Sequence, residues 1–72
     1  MKFEYFDETD TLYIDIKDSK SVVSKEISSG IVLDFDESGH LTGIEIDNAK
    51  SGTNLSKLET KHLPFTNLNF AT

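Results

Sequence analysis

Residues 30–47, GIVLDFDESGHLTGIEID, constrain the fold more than any other stretch. Two runs rich in Ile, Val and Leu flank an acidic turn. The spacing of Asp34, Asp36, Ser38, Gly39 and Glu45 matches the D-x-[DN]-x-[DN]-G-x5-E pattern of an EF-hand calcium loop, with serine in the third ligand slot. An EF-hand needs a helix on each side of that loop. Here the preceding run is β-branched and follows a glycine, and the following run alternates around an internal glycine. Both flanks read as strands. The expectation is therefore a hairpin, in which Asp36 opens a type I turn and Gly39 adopts positive φ at a bulged return. Two registers fit. A three-residue loop, Glu37–Gly39, sets Phe35 opposite Leu41 and Val32 opposite Ile44. A four-residue loop sets Leu33 opposite Ile44 and Ile31 opposite Ile46. In both, Ile31, Val32 and Leu33 are apolar on either side, the pattern of a central strand covered on two faces.

The rest of the first fifty residues follows the same period. KFEYF puts Phe3 and Tyr5 on one side. TLYIDIKD puts Leu12, Ile14 and Ile16 on one face and Tyr13, Asp15 and Lys17 on the other. VVSKEI sets Val23 and Ile27 around Lys25. DETD and DSKS mark turns. Parallel pairing needs long crossovers, and the chain has no room for them. Beyond Asp47 the pattern changes: NAKSGTN reads as a loop. LSKLETKHL then carries Leu55, Leu58 and His62 at helical spacing, with Ser56 and Glu59 as a capping box and Pro64 as the stop. The tail leaves Phe65, Leu68 and Phe70 to pack on the sheet or to pair with another chain. The expected fold is α+β: an antiparallel β-meander of four to five strands with a short C-terminal helix. It forms a single domain over residues 1–72, with the sheet in 3–49 and the loop, helix and tail in 50–72.

A chain of 72 residues builds a small core, and proteins of this size usually add disulfides, a metal or a second subunit. There is no cysteine, which removes the first and fits a reducing cytoplasm. A homo-oligomer is expected. The N-terminus lacks an apolar signal-peptide core, and no run approaches the roughly 18 apolar residues of a membrane span, so no membrane partner is expected. The net charge is −6, and it is unevenly placed. Residues 1–49 hold twelve acids and four lysines; residues 50–72 hold one acid and three lysines. All basic residues are lysine. Direct nucleic-acid binding is disfavoured, because phosphate contact calls for a basic, usually arginine-rich surface. A basic protein partner fits better.

No nucleophile sits at a recognisable elbow, and no glycine-rich loop opens a helix for phosphate. No catalytic residue and no cofactor are assigned. His40 at the turn and His62 near the helix end read as surface residues. The carboxylates open to acid–base or cation chemistry are Asp7, Asp10, Asp34, Asp36 and Glu45, with Asp34 and Asp36 the weak metal candidates. Asp10 reads most simply as a turn residue bonding nearby backbone N–H groups. Asp34 and Glu45 interrupt apolar strands. They mark either a solvent-facing sheet surface or a carboxylate patch. Tyr13, Asp15, Glu26, Asp34 and Glu45 are the candidate binding residues, and Asp36 and Gly39 the structural turn. Tyr5, Phe6 and Tyr13 supply aromatic area, mostly to the core. Three readings compete: a non-enzymatic protein-binding domain, a small cation-dependent or enzymatic protein centred on Asp34, Asp36 and Glu45, and a self-assembling structural protein.

YFDETDTLYIDI and SSGIVLDFDESGHLTGIEIDNA together resemble the domain-of-unknown-function family numbered 2283, a set of short, mainly bacterial proteins. The family pattern falls on Phe6, Asp7, Asp10, Leu12, Tyr13 and Ile14. It continues on Gly30, Asp34, Asp36, Gly39, Leu41, Gly43, Ile44, Glu45 and Ile46. The likeness covers about residues 3–49, and the second block is the more specific. Phe6 stands where tyrosine is usual, and His40 where arginine or lysine is common. The resemblance implies a small β-sheet with a helical C-terminal piece and no known catalytic activity. It also implies, for some relatives, an antitoxin-type role beside small toxin-like proteins.

Overall fold

A computed structural model describes residues 1–64, 67 and 69. Five strands form: β1 (Lys2–Phe6), β2 (Thr11–Asp15), β3 (Val23–Ser28), β4 (Ile31–Phe35) and β5 (Leu41–Asp47). One turn of helix, α1 (Ala49–Gly52), follows. Every strand pairing is antiparallel, as the short connections require. The order across the sheet is β1-β2-β5-β4-β3. The fold is thus α+β and meander-like, with one departure from a simple meander. β2 does not pair with β3, because β5 lies beside it at the centre of the sheet. The segment after β2 crosses the end of β5 and β4 to reach the far edge.

A bulge makes that crossing possible. Ile31 pairs with Ile46, and Leu33 with Ile44, as in the four-residue loop. Nearest the turn, however, Phe35 pairs with Leu41, as in the three-residue loop. The two registers coexist because Thr42 is an extra residue on β5, opposite the step from Asp34 to Phe35. The Thr42 carbonyl accepts the Ile16 and Lys17 N–H groups at 2.9 and 3.3 Å. Its hydroxyl lies 2.8 Å from Ser21 Oγ, and the residue is only 2% exposed. Val22 N–H then bonds Phe35 O at 2.8 Å, which seats the end of the connection on β4.

Side-chain alternation gives the sheet two unlike faces. One carries Leu12, Ile14, Ile31, Leu33, Ile44 and Ile46, with Phe3 and Tyr5 toward β1 and Val23 toward β3. The other is polar. Val32 lies on the polar face between Glu26 and Glu45, so β4 is not the doubly covered central strand that its apolar run suggests. The central strand is β5. Among the described residues Ala49 is the fully buried hydrophobic one, and the strand residues of the apolar face remain partly exposed.

The C-terminal helix is displaced from its expected place. Helical spacing pointed to residues 55–63, and NAKSGTN was expected to be a loop. The helical turn instead lies at Ala49–Gly52, within NAKSGTN, and residues 55–63 are not helical. Leu55, Leu58 and Leu63 are 40%, 60% and 52% exposed, so no docked apolar stripe supports a short helix there. Asn54 Oδ1 accepts the Ser56 N–H and hydroxyl at 3.2 and 2.6 Å, a local turn that competes with helix. His62 adopts φ 59°, outside the helical region. Phe65, Leu68 and Phe70 lie outside the described residues.

Candidate functional site

The polar face is built from one row of each strand. Glu4, Tyr13, Glu45, Val32 and Glu26 form a line across the sheet; Lys2, Asp15, Gly43, Asp34 and Ser24 form the next. Asp47, paired with Thr11, extends the face. Six carboxylates and one lysine therefore share it, while no carboxylate stands on a strand position of the opposite face. All five candidate binding residues, Tyr13, Asp15, Glu26, Asp34 and Glu45, lie on this one surface. Glu26, on the edge strand β3, is exposed, and the other four are half-buried.

Its centre is a hydrogen-bonded triad. Tyr13 on β2 donates its hydroxyl to Asp34 Oδ2 on β4 at 2.8 Å. The two strands are not neighbours, since β5 lies between them. The ring reaches across because position 43 on β5 is glycine: a Cβ there would collide with the Tyr13 hydroxyl and stand 2.6 Å from its Cζ. Ser24 Oγ donates to the other oxygen, Asp34 Oδ1, at 2.6 Å. Both carboxylate oxygens of Asp34 are thus engaged. The hydrogen bond to Asp34, burial and the Asp34 charge hold the Tyr13 hydroxyl above its ordinary pKa. Glu45 is also raised, first by burial and then by the neighbouring Asp47 and Asp34 charges. Tyr13 belongs to this polar network rather than to a core, and Phe6 is 45% exposed, so of the three hairpin aromatics only Tyr5 faces the apolar side.

Asp36 stands apart from this surface and serves the turn. Its Oδ1 accepts the Ser38 and His40 N–H groups at 3.0 and 2.9 Å, and the Gly39 N–H bonds Asp36 O at 3.0 Å. Its Oδ2 lies 3.6 Å from Lys17 Nζ and 3.7 Å from His40 Nδ1. The bond from His40 N–H is the main cause that holds Asp36 below the usual carboxylate range. Gly39 has φ 85°, as the hairpin reading requires. Strands flank this loop on both sides, so its EF-hand spacing has no EF-hand fold behind it. Among the described residues no group of three or more His, Cys, Asp or Glu side chains is arranged to hold a metal ion.

Asp10 does more than its position suggests. It was expected to bond nearby N–H groups. Its Oδ1 instead accepts the Tyr5 hydroxyl at 2.7 Å and the Lys50 N–H at 3.1 Å, forty positions away, while its carbonyl accepts the Ala49 N–H at 3.0 Å. Asp10, at φ 54°, latches the β1–β2 hairpin to α1. Lys50 Nζ lies 3.5 Å from Asp7 and 5.8 Å from the Tyr5 ring centre. Sequence reasoning missed Ser24, Gly43 and this latch. A glycine inside the β-branched run at 41–47 was the one available signal, since mid-strand glycine often marks a close approach. Ser24 and the Asp10 latch had none.

A five-stranded antiparallel sheet with an acidic face, a positive-φ glycine in the β4–β5 turn and a glycine under a cross-strand tyrosine defines a small single-sheet protein. A family model matches residues 2–50, about two-thirds of the chain, and the protein belongs to that family, described as "Protein of unknown function (DUF2283)". No curated protein and no solved structure matches the chain. No helix among the described residues is long and apolar enough to cross a membrane.

Proposed function

We propose that the protein is a non-enzymatic binding module whose acidic sheet face receives a basic protein surface. One observation carries this reading: six carboxylates, on all of β1 to β5, share a single face with one lysine. Alternation alone asks for polar groups on a solvent-facing surface, but serine, threonine or lysine would serve equally well. Like charges gathered on a rigid sheet repel one another, and the raised pKa of Glu45, due first to burial, also carries the charges of Asp47 and Asp34. A cationic partner relieves it. The Tyr13–Asp34–Ser24 triad fixes the centre of the face, so little side-chain entropy is lost there on binding. Asp15 and Glu26 place charge toward opposite edges, and Tyr13 adds aromatic area. An antitoxin-like role beside a small basic protein is the form this takes within the family resemblance.

The test is capture of partners from host lysate at low salt, compared between the wild type and charge-reversed variants. Asp15→Lys with Glu26→Lys should abolish capture of a basic protein, while Glu59→Lys, outside the sheet, should leave it intact. Raising the salt to about 0.5 M should release the partner, since exposed charges are then largely screened. Capture that ignores both the variants and salt would overturn the reading.

A further inference from the structure

We infer that the apolar face of the sheet is covered by the same face of a second copy, giving a two-fold dimer that turns its two acidic faces outward. A domain normally closes its core between two layers of secondary structure. Here one layer is a sheet; among the described residues α1 has four residues, too few to form the other, and Leu55 and Leu58 approach the face only at its β1–β2 margin, beside Phe3, Tyr5 and Leu12. Leu12, Ile14, Ile31, Leu33, Ile44 and Ile46 all remain partly exposed.

Charge selects the occupant. The net charge is −6, yet the strand positions of the apolar face carry no carboxylate and one charged residue, Lys25, near the β3 edge. Two copies can therefore meet face to face, as sheets do in a sandwich at about 10 Å, without bringing like charges together at the centre. A second copy supplies a matching apolar surface by identity, and an isologous contact closes at two copies. An anionic lipid surface is opposed by the overall charge. The β3 edge is a poorer self-association site, because Lys25 guards it.

Sedimentation equilibrium of the whole chain between about 1 and 100 μM tests this, with the dimer at twice 8.1 kDa as the expected species. Leu33→Asp should yield a monomer, and Val32→Asp, one residue away on the polar face, should remain dimeric. If Leu33→Asp fails to fold, the wild type still decides the matter: its melting temperature should rise by several degrees across that concentration range, as mass action requires of a dimer. A wild-type monomer at 100 μM with full strand circular dichroism would overturn the inference. So would a dimer that survives a folded Leu33→Asp, which would point to edge pairing, or a species larger than two copies. The result is independent of the basic-partner reading, whose charge-reversed positions lie on the other face.

Discussion

Two glycines show how single positions decide the local geometry, for different reasons. Gly39 has positive φ and open space where a Cβ would stand, so a substitution meets backbone strain and nothing else. Gly39→Val should cost about 1–2 kcal/mol in urea unfolding, and Gly39→Asn much less, since asparagine tolerates the left-handed region. Calcium should leave the melting temperature of the wild type and both variants unchanged; a rise of several degrees in the wild type would revive the EF-hand reading. Gly43 differs: its constraint is the Tyr13 ring lying over it. Gly43→Ala should destabilise by about 1–3 kcal/mol, as overpacking does, and displace the ring from Asp34. Ultraviolet titration provides the second readout. Tyr13 is raised chiefly by its bond to Asp34, so the variant should show one tyrosine titrating at lower pH than in the wild type. An unchanged titration would mean that the ring had kept its partner. Gly39 was legible in the sequence because its turn is local. Gly43 was only half legible: its oddity inside a strand was visible, but not the residue that needed the space.

Among the elements, the strands were legible and the helix was not. Period-two alternation marked the strands apart from β4, whose continuous apolar run marked it instead, because a half-buried strand imprints its two environments on adjacent residues. The stretch 55–63 had helical spacing, but Leu55, Leu58 and Leu63 stay largely exposed, and a short helix that does not bury its apolar stripe does not persist. The turn that did form, α1, is held through Asp10. The Asp10 side chain accepts the Lys50 N–H and the Tyr5 hydroxyl, and its carbonyl accepts the Ala49 N–H. Asp10→Ala should therefore cost about 1–3 kcal/mol and speed hydrogen exchange at the Lys50 amide. Asp10→Asn should be milder on both counts, because its amide oxygen still accepts and its backbone tolerates φ 54°. Equal effects from the two variants would show that the latch contributes nothing as a hydrogen-bond acceptor.

At the scale of the whole molecule, two carboxylates respond to pH with opposite signs. Asp36 is held below its ordinary 3.8, so its contribution to stability is present above that value and is lost as pH falls through its folded pKa. Glu45 is raised above its ordinary 4.5, so its contribution is fully present below 4.5 and is lost as pH rises through its folded pKa. Glu45→Gln removes the second loss. Its melting temperature should gain more than that of the wild type between about pH 4 and pH 7. Asp36→Asn should flatten the acid side, with less loss of stability below the ordinary aspartate value. A Glu45→Gln profile parallel to that of the wild type would show that the burial of Glu45 and its crowding by Asp47 and Asp34 have no energetic consequence.

The sequence alone determined an antiparallel sheet of four to five strands, the two kinds of residue that the alternating strands would present, the turn at Gly39 and the family. These are properties of neighbouring residues, and alternation or turn chemistry expresses them within a few positions. Only the tertiary structure decided that β5 rather than β3 lies beside β2, that Thr42 bulges and joins two registers, and that Tyr13 reaches Asp34 across Gly43. It also decided that Asp10 ties its hairpin to a helical turn forty residues on. Each of these depends on which strands become neighbours. That choice is made by the summed burial and backbone hydrogen bonding of the whole sheet, to which no single segment's pattern corresponds.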